Sequence, residues 1–311
     1  MTKTNWVFFG GSQFSVYALD ELKIHHLLPD LIITTPDKPQ GRKLVLTPTP
    51  VKVWAQNNGI EVLDPASLKK DNSDLIHNLK SKNYDLFLVA SYGKIIPKEI
   101  FEIPTKKTLN IHPSILPKYR GASPIQSQIL GDEKEIGVTI MQIEETMDTG
   151  PILIQKPLPT PSPLQGEGRR GEVDSLETPS LLGRKELEKV LAIEGACLFA
   201  HILPEWLIGA VEPIIQDESK ATYCKKIEKE NGELQIDLNS LPTGNKARQD
   251  LLKIKAFEEW PTAYFFVERN GKKTRVIITE ATLENNSLKI LKVIPEGKKE
   301  MPYEDFLRGQ K

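Results

Sequence analysis

Cysteine is almost absent from this chain: only Cys197 and Cys224 occur in 311 residues. They lie far apart and outside any Cys-x-x-Cys spacing, which argues against a zinc site or a disulfide framework and fits a reduced, cytoplasmic setting. An excess of either charge is missing too. With 41 Lys plus Arg against 42 Asp plus Glu the net charge is −1, so no global basic field advertises nucleic acid. Any RNA affinity has to come from local clusters. Long apolar runs are also lacking. Trp6-Val7-Phe8-Phe9 stops at Gly10, too short for a secretory core, and no run approaches bilayer length, so a soluble protein without membrane contact is expected. The first turn reads Gly10-Gly11-Ser12 and lacks the full Gly-x-Gly-x-x-Gly, which sets a nicotinamide site aside.

What is present is enough chain for two domains with their own cores, at 39% hydrophobic and 27% charged residues. The opening apolar run is followed by Phe14, Val16, Tyr17, Leu19 and Leu22 at helical spacing, then by the apolar stretch Leu31-Ile32-Ile33. Strand, helix and strand in that order predict a βαβ unit and a parallel sheet. The alternation continues through a helix opening at Val51, a strand at Ile60-Glu61-Val62-Leu63, a helix marked by Leu75, Ile76 and Leu79, and an apolar strand over residues 84–90. It predicts a doubly wound, mostly parallel α/β sheet, whose ligands sit beyond the carboxyl ends of the strands. Ser91, Tyr92 and Gly93 lie at one such end. Residues 36–50 contain four prolines and three cations and predict a long loop with no regular element.

The most informative stretch is Asn110-Ile111-His112-Pro113-Ser114-Ile115-Leu116-Pro117-Lys118-Tyr119-Arg120-Gly121, followed later by Asp148-Thr149-Gly150. Asn110 and His112 are two apart and so share one face of a strand. Pro113 and Pro117 then end the strand and shape a loop. Singly, each of these residues has a plain structural reading as turn former or core polar group. As a set they are the equipment of acyl transfer. The amide can bond a developing oxyanion, the imidazole exchanges a proton near neutral pH, and a carboxylate from elsewhere would fix the ring's tautomer and raise its basicity.

These residues strongly resemble the signature of the formyltransferases that use 10-formyltetrahydrofolate, and the likeness runs from Val7 to Gly309. Within that family the chain looks most like the branch acting on methionyl-tRNA. The resemblance implies formyl transfer from 10-formyltetrahydrofolate as co-substrate to the amine of methionine on initiator tRNA, by a cytoplasmic monomer without a metal. It implies Asn110, His112 and Asp148 as catalytic residues, and Ser114, Ile115, Leu116, Pro117, Ser91, Tyr92 and Gly93 as contacts to the folate. For RNA it implies the Gly41-Arg42 loop with Lys43, and we add the local cluster Lys220, Lys225, Lys226 and Lys229. Two positions depart from the family pattern: Gly10-Gly11-Ser12 replaces a usual Gly-Thr-Pro, and Leu44 stands where a lysine is common. The rival reading is a relative acting on a small amine, such as glycinamide ribonucleotide or an amino sugar. A further rival is an RNA-binding protein that kept the fold without the activity.

After a strand over residues 151–156, residues 157–174 alternate proline and then carry a Gly-Arg-rich run, predicting an exposed insertion that packs no core. An apolar stripe from Leu187 to Trp206 predicts the helix that closes a first domain, residues 1–209, with Gly209 to Asp217 as linker. Residues 210–311 are then a second domain. A helix near residues 246–257 precedes three β-rich runs joined by Asn270-Gly271 and Asn285-Asn286 turns. The resemblance implies a small OB-like β-barrel that supports tRNA.

Overall fold

The computed structural model describes residues 4–40, 44–68, 73–159, 182–269 and 271–309. Gly41, Arg42, Lys43, most of the expected insertion and Asn270 lie outside them. The chain packs into two compact units. The first holds Met1–Gly121, Gly137–Leu158 and Glu188–Tyr223; the second holds Ala122–Ile136, Pro159–Leu187 and Cys224–Lys311.

The first unit begins with β1 (Trp6–Gly10), α1 (Gln13–Ile24) and β2 (Leu31–Ile33). A short antiparallel pair follows, β3 (Lys38–Gln40) with β4 (Val45–Thr47). The proline-rich segment expected to carry no element therefore forms a hairpin. Pro39 is tolerated because a two-stranded ribbon leaves half of its backbone donors unpaired in any case. Beyond it come α2 (Pro50–Asn57), β5 (Glu61–Leu63), α3 (Ser73–Ser81), β6 (Leu86–Ala90), α4 (Lys98–Phe101), β7 (Thr108–His112) and β8 (Arg120–Gly121). The chain then passes through α5 (Pro124–Leu130) and returns as β9 (Gly137–Gln142) and β10 (Ile152–Pro157).

The seven-stranded sheet has the order β10-β9-β7-β6-β1-β2-β5. The five strands from β7 to β5 are parallel, while β9 runs against them and pairs antiparallel with both β7 and β10. Every residue of β1 and β6 is buried, which is why both read as unbroken apolar runs: a parallel sheet covered on two faces offers no side to water. The chain builds outward from β1 first through β2 and β5, then on the other side through β6 and β7. The order thus reverses between β1 and β6, and the crevice at a reversal is where such sheets receive ligands.

The helix α6 (Arg184–Leu207) is, among the described residues, the one long and apolar enough to cross a bilayer by length and composition. No bilayer-length run was expected from the sequence. Its Leu191, Ala192, Ala196 and Phe199 are fully buried, with the Phe199 ring 6.1 Å from that of Trp6 on β1. The apolar length is that of a helix covering the sheet. The expected linker after α6 is packed rather than free. Ile214 exchanges two backbone hydrogen bonds of 2.8 Å with Ile152, and Gln216 is buried. Ile214 and Ile215 are too few to show a period, so the sequence alone reads as a linker there.

The second unit contains α5, β11 (Tyr223–Cys224) in part, α7 (Gly244–Ala256), and the meander β12 (Ala263–Arg269), β13 (Lys272–Glu284), β14 (Ser287–Pro295) and β15 (Met301–Pro302). It ends in α8 (Tyr303–Arg308). The four strands pair antiparallel in sequence order, and the Asn285-Asn286 turn has both residues at positive φ, as a tight hairpin requires. Phe265, Val276, Ile278, Ile290 and Val293 form its core with Leu251 and Ile254 of α7. Arg248 of α7 makes two 2.8 Å bonds to the Asp132 carboxylate just beyond α5. That pair ties residues 122–136 into this unit.

Candidate active site

The parallel strands β1, β6 and β7 end on one edge of the sheet, with Gly10 opposite Ala90 and Val89 opposite Asn110. The turns that follow are bonded to one another. The Ser15 hydroxyl accepts from the Gly11 and Ser12 N–H groups and donates to the Ala90 carbonyl at 2.6 Å, and the Ser12 hydroxyl donates to that of Ser91 at 2.8 Å. Ser91 and Gly93 are exposed at positive φ. Tyr92 points inward instead. Its ring meets Phe9 edge-on at 5.5 Å, and burial pushes its phenol up to about 12.

Asn110 and His112 occupy alternate positions of β7 and share a face; Asn110 is partly accessible and His112 is buried. The His112 Nε2 lies 3.2 Å from the Tyr119 carbonyl oxygen. A carbonyl only accepts, so Nε2 carries hydrogen and Nδ1 of the neutral ring is a bare acceptor. Nδ1 faces the Asp148 Oδ1 at 3.7 Å, beyond direct hydrogen bonding. The backbone of Tyr119, rather than the carboxylate, therefore fixes the tautomer. Burial holds the imidazole below its ordinary value near 6.5, against the opposing pull of Asp148 and of the Tyr119 carbonyl.

Asp148 is held from two sides. Its Oδ2 accepts the Gly121 N–H at 2.8 Å, and its carbonyl, with that of Gly150, accepts from the Gln216 side-chain amide at 2.9 and 2.7 Å. Gln216 in turn accepts from Arg120, whose fully buried guanidinium also donates two hydrogen bonds to the Glu218 carboxylate, at 2.7 and 2.9 Å, and one to the Tyr223 hydroxyl. Glu218 beside it pushes the guanidinium's pKa up further. The Arg120 N–H donates to the Thr222 carbonyl at 2.9 Å. Arg120 and Gln216 thus brace the loop that carries Tyr119 and the loop that carries Asp148. Neither role is visible in the sequence. Arg120 lay inside the quoted signature, whereas nothing in the sequence near Gln216 points to Asp148.

The loop 113–118 is shaped by hydrogen bonds that consume its own polar groups. The buried Ser114 hydroxyl donates to the Lys118 carbonyl, and the Thr139 hydroxyl donates to the Ser114 carbonyl while accepting the Leu116 N–H. Gln155 donates to the Leu116 carbonyl at 2.8 Å. Leu116 packs inward on Met141 and Ile152, whereas Pro113, Ile115, Pro117 and Lys118 are partly accessible. Lys220 is exposed and paired to Asp217 at 3.3 Å. Lys225, Lys226 and Lys229 are exposed at the start of the second unit, with the Lys225 carbonyl anchored by the Ser123 hydroxyl.

Residues 4–162 match the formyl transferase family. A protein named methionyl-tRNA formyltransferase from Thermodesulfovibrio yellowstonii is 34% identical over 325 residues, covering 98% of this chain and 96% of that protein. The fold is also that of a solved methionyl-tRNA formyltransferase from Clostridium thermocellum, at a TM-score of 0.56 and 17% identity over 94% of this chain and 99% of that one. An N-formyltransferase from Helicobacter canadensis, solved with folinic acid and dTDP-3-aminofucose, gives a TM-score of 0.59 at 20% identity, covering 91% of this chain and 89% of its own. By sequence over nearly its whole length, this chain belongs to the formyl transferase family, in the group of the methionyl-tRNA formyltransferases.

Proposed function

We propose that this chain moves a formyl group from 10-formyltetrahydrofolate to the α-amine of methionine on initiator tRNA, in the cytoplasm and as a monomer. The observation that carries the reading is the pair of acceptors His112 Nδ1 and Asp148 Oδ1, 3.7 Å apart, with Asn110 on the same face of β7 as His112. The neutral amine attacks the formyl carbon, a C–N bond forms, and the carbonyl oxygen becomes an oxyanion. The Asn110 amide donates to that oxyanion. The proton released by the amine enters the gap between Nδ1 and the carboxylate, and the resulting imidazolium adds its charge to the stabilisation of the oxyanion. The bond to the folate nitrogen then breaks, and the proton passes to that nitrogen. The elements are kept in register by Tyr119, Gly121 and Gln216.

In this reading Ile115 and Pro117 touch the folate with Ser91 and Gly93, while Ser114, Leu116 and Tyr92 give their loops shape. Arg42 and Lys43 meet the acceptor end of the tRNA, and Leu44, Val45 and Leu46, which follow them in sequence, are exposed. Lys220, Lys225, Lys226 and Lys229 meet phosphates further along. Residues 1–209, braced by the segment 214–223, do the chemistry, and the rest of residues 210–311 supports the RNA. The test is to incubate the purified chain with 10-formyltetrahydrofolate and initiator methionyl-tRNA, deacylate, and look for N-formylmethionine. The product is expected with wild type and is expected to fall about a hundredfold with Asn110→Ala; its absence with wild type refutes the reading.

A further inference from the structure

Away from the loops described above, the C-terminal end of α1 meets the middle of α6 through three side chains that each offer a metal ligand. Glu21 and His25 are one helical turn apart on α1 and its cap, and Cys197 comes from α6. The Glu21 Oε1 lies 3.3 Å from the His25 Nε2 and 3.3 Å from the Cys197 Sγ, and the three ligand atoms all fall within 4.8 Å of one another. Around tetrahedral zinc, usual bond lengths put neighbouring oxygen and nitrogen ligands about 3.3 Å apart and oxygen and sulfur about 3.5 Å apart. Two of the three spacings present are close to those of neighbouring corners of that polyhedron, and the third pair lies within 4.8 Å. Glu194, one turn before Cys197, is taken by Lys156 at 2.5 Å, and His25 is exposed. The fourth corner therefore opens to water.

We propose that Glu21, His25 and Cys197 form a binding site for a divalent cation of the zinc class, coordinated by carboxylate, imidazole and thiolate with water as fourth ligand. Thiolate and imidazole together select zinc over magnesium or calcium, whose preferred ligands are oxygens. On binding, the Cys197 S–H that now donates to Glu21 gives its proton to solvent as the metal–sulfur bond forms. Burial, reinforced by the Glu21 carboxylate, pushes the free thiol up to about 11, so without a cation the group is a thiol. No cysteine pair announces the site, because its ligands come from two helices more than 170 residues apart in sequence. The cation would clamp α1, which follows directly on the Gly10-Gly11-Ser12 turn, to the helix that covers the sheet.

The experiment uses the full chain, freed of metal by a chelator that is then removed, and titrates it with Co2+ and afterwards Zn2+. One equivalent of Co2+ is expected to give a sulfur-to-cobalt charge-transfer band that Zn2+ abolishes. The band is expected to be lost in Cys197→Ser and kept in Cys224→Ser. Glu21→Gln and His25→Asn are expected to weaken Zn2+ binding at least tenfold, the least that even an outer-sphere loss costs. Saturating Zn2+ should raise the melting temperature of wild type by a few degrees and leave that of Cys197→Ser unmoved. A folded wild type that gives no band, or a band that survives Cys197→Ser or vanishes in Cys224→Ser, overturns the assignment.

Discussion

His112 is a buried ring that donates to a main-chain carbonyl through one nitrogen and faces a carboxylate with the other. Because burial lowers its pKa from an ordinary value near 6.5, the folded state favours the neutral ring. The unfolded chain takes up the proton more readily, so this group's contribution to stability is complete above about pH 6.5 and is lost as pH falls below that, towards the folded value. The acid limb of turnover is expected below pH 6.5 for the same reason, and a limb above pH 7 in the pH–rate profile contradicts a buried neutral ring. Asp148→Ala is expected to cost on the order of a hundredfold in turnover, with little change in folate affinity. Turnover within about threefold of wild type removes the carboxylate from the proton path. At this scale the sequence was legible where chemistry depends on residue type and spacing, as with Asn110 and His112 two apart on one strand. It was not legible for Gln216 or for the tautomer, because each is fixed by a carbonyl group, which every residue has. Tyr92 shows a further limit: a strand-ending tyrosine reads the same in sequence whether its ring faces the core or the cleft.

At the scale of elements, the site is only as well placed as β7, and β7 is pressed from behind by α6. Gly195 allows that approach. A Cβ there would lie 2.3 Å from the Ile111 Cγ2 and 3.0 Å from the Val138 Cγ2. Gly195→Val is expected to destabilise the chain by about 1–3 kcal/mol through overpacking and to lower turnover, since Ile111 lies between Asn110 and His112. Denaturant unfolding and steady-state rates measure the two effects, and an unchanged midpoint contradicts the close contact. The segment after α6 makes a similar case. Gln216→Ala leaves the Asp148 and Gly150 carbonyls without their donor and is expected to cost about 2 kcal/mol, read as a drop in melting temperature. A free linker would show no change. Strand and helix order was legible here because unbroken apolar runs and helical stripes are long-range signals. The β3–β4 hairpin was not, since its prolines hid three-residue strands, and neither was the docking of residues 214–223, which rests on hydrogen bonds rather than on an apolar period.

The whole molecule carries one net negative charge and is proposed to grip a polyanion, so its basic groups must act locally. Replacing Lys225 and Lys226 with Ala is expected to raise the KM for methionyl-tRNA and flatten its dependence on salt, with kcat kept, because fewer counterions are released on binding. An unchanged salt slope places the phosphates elsewhere. The fold itself does not decide the acceptor, since the same architecture is found in proteins solved with an amino sugar nucleotide. The most direct measurement is formyl transfer from 10-formyltetrahydrofolate to initiator methionyl-tRNA, free methionine and a nucleotide-linked amino sugar, compared as kcat/KM in one preparation. Methionyl-tRNA is expected to exceed both others by several orders of magnitude. An amino sugar or other small amine formylated as efficiently as methionyl-tRNA contradicts it.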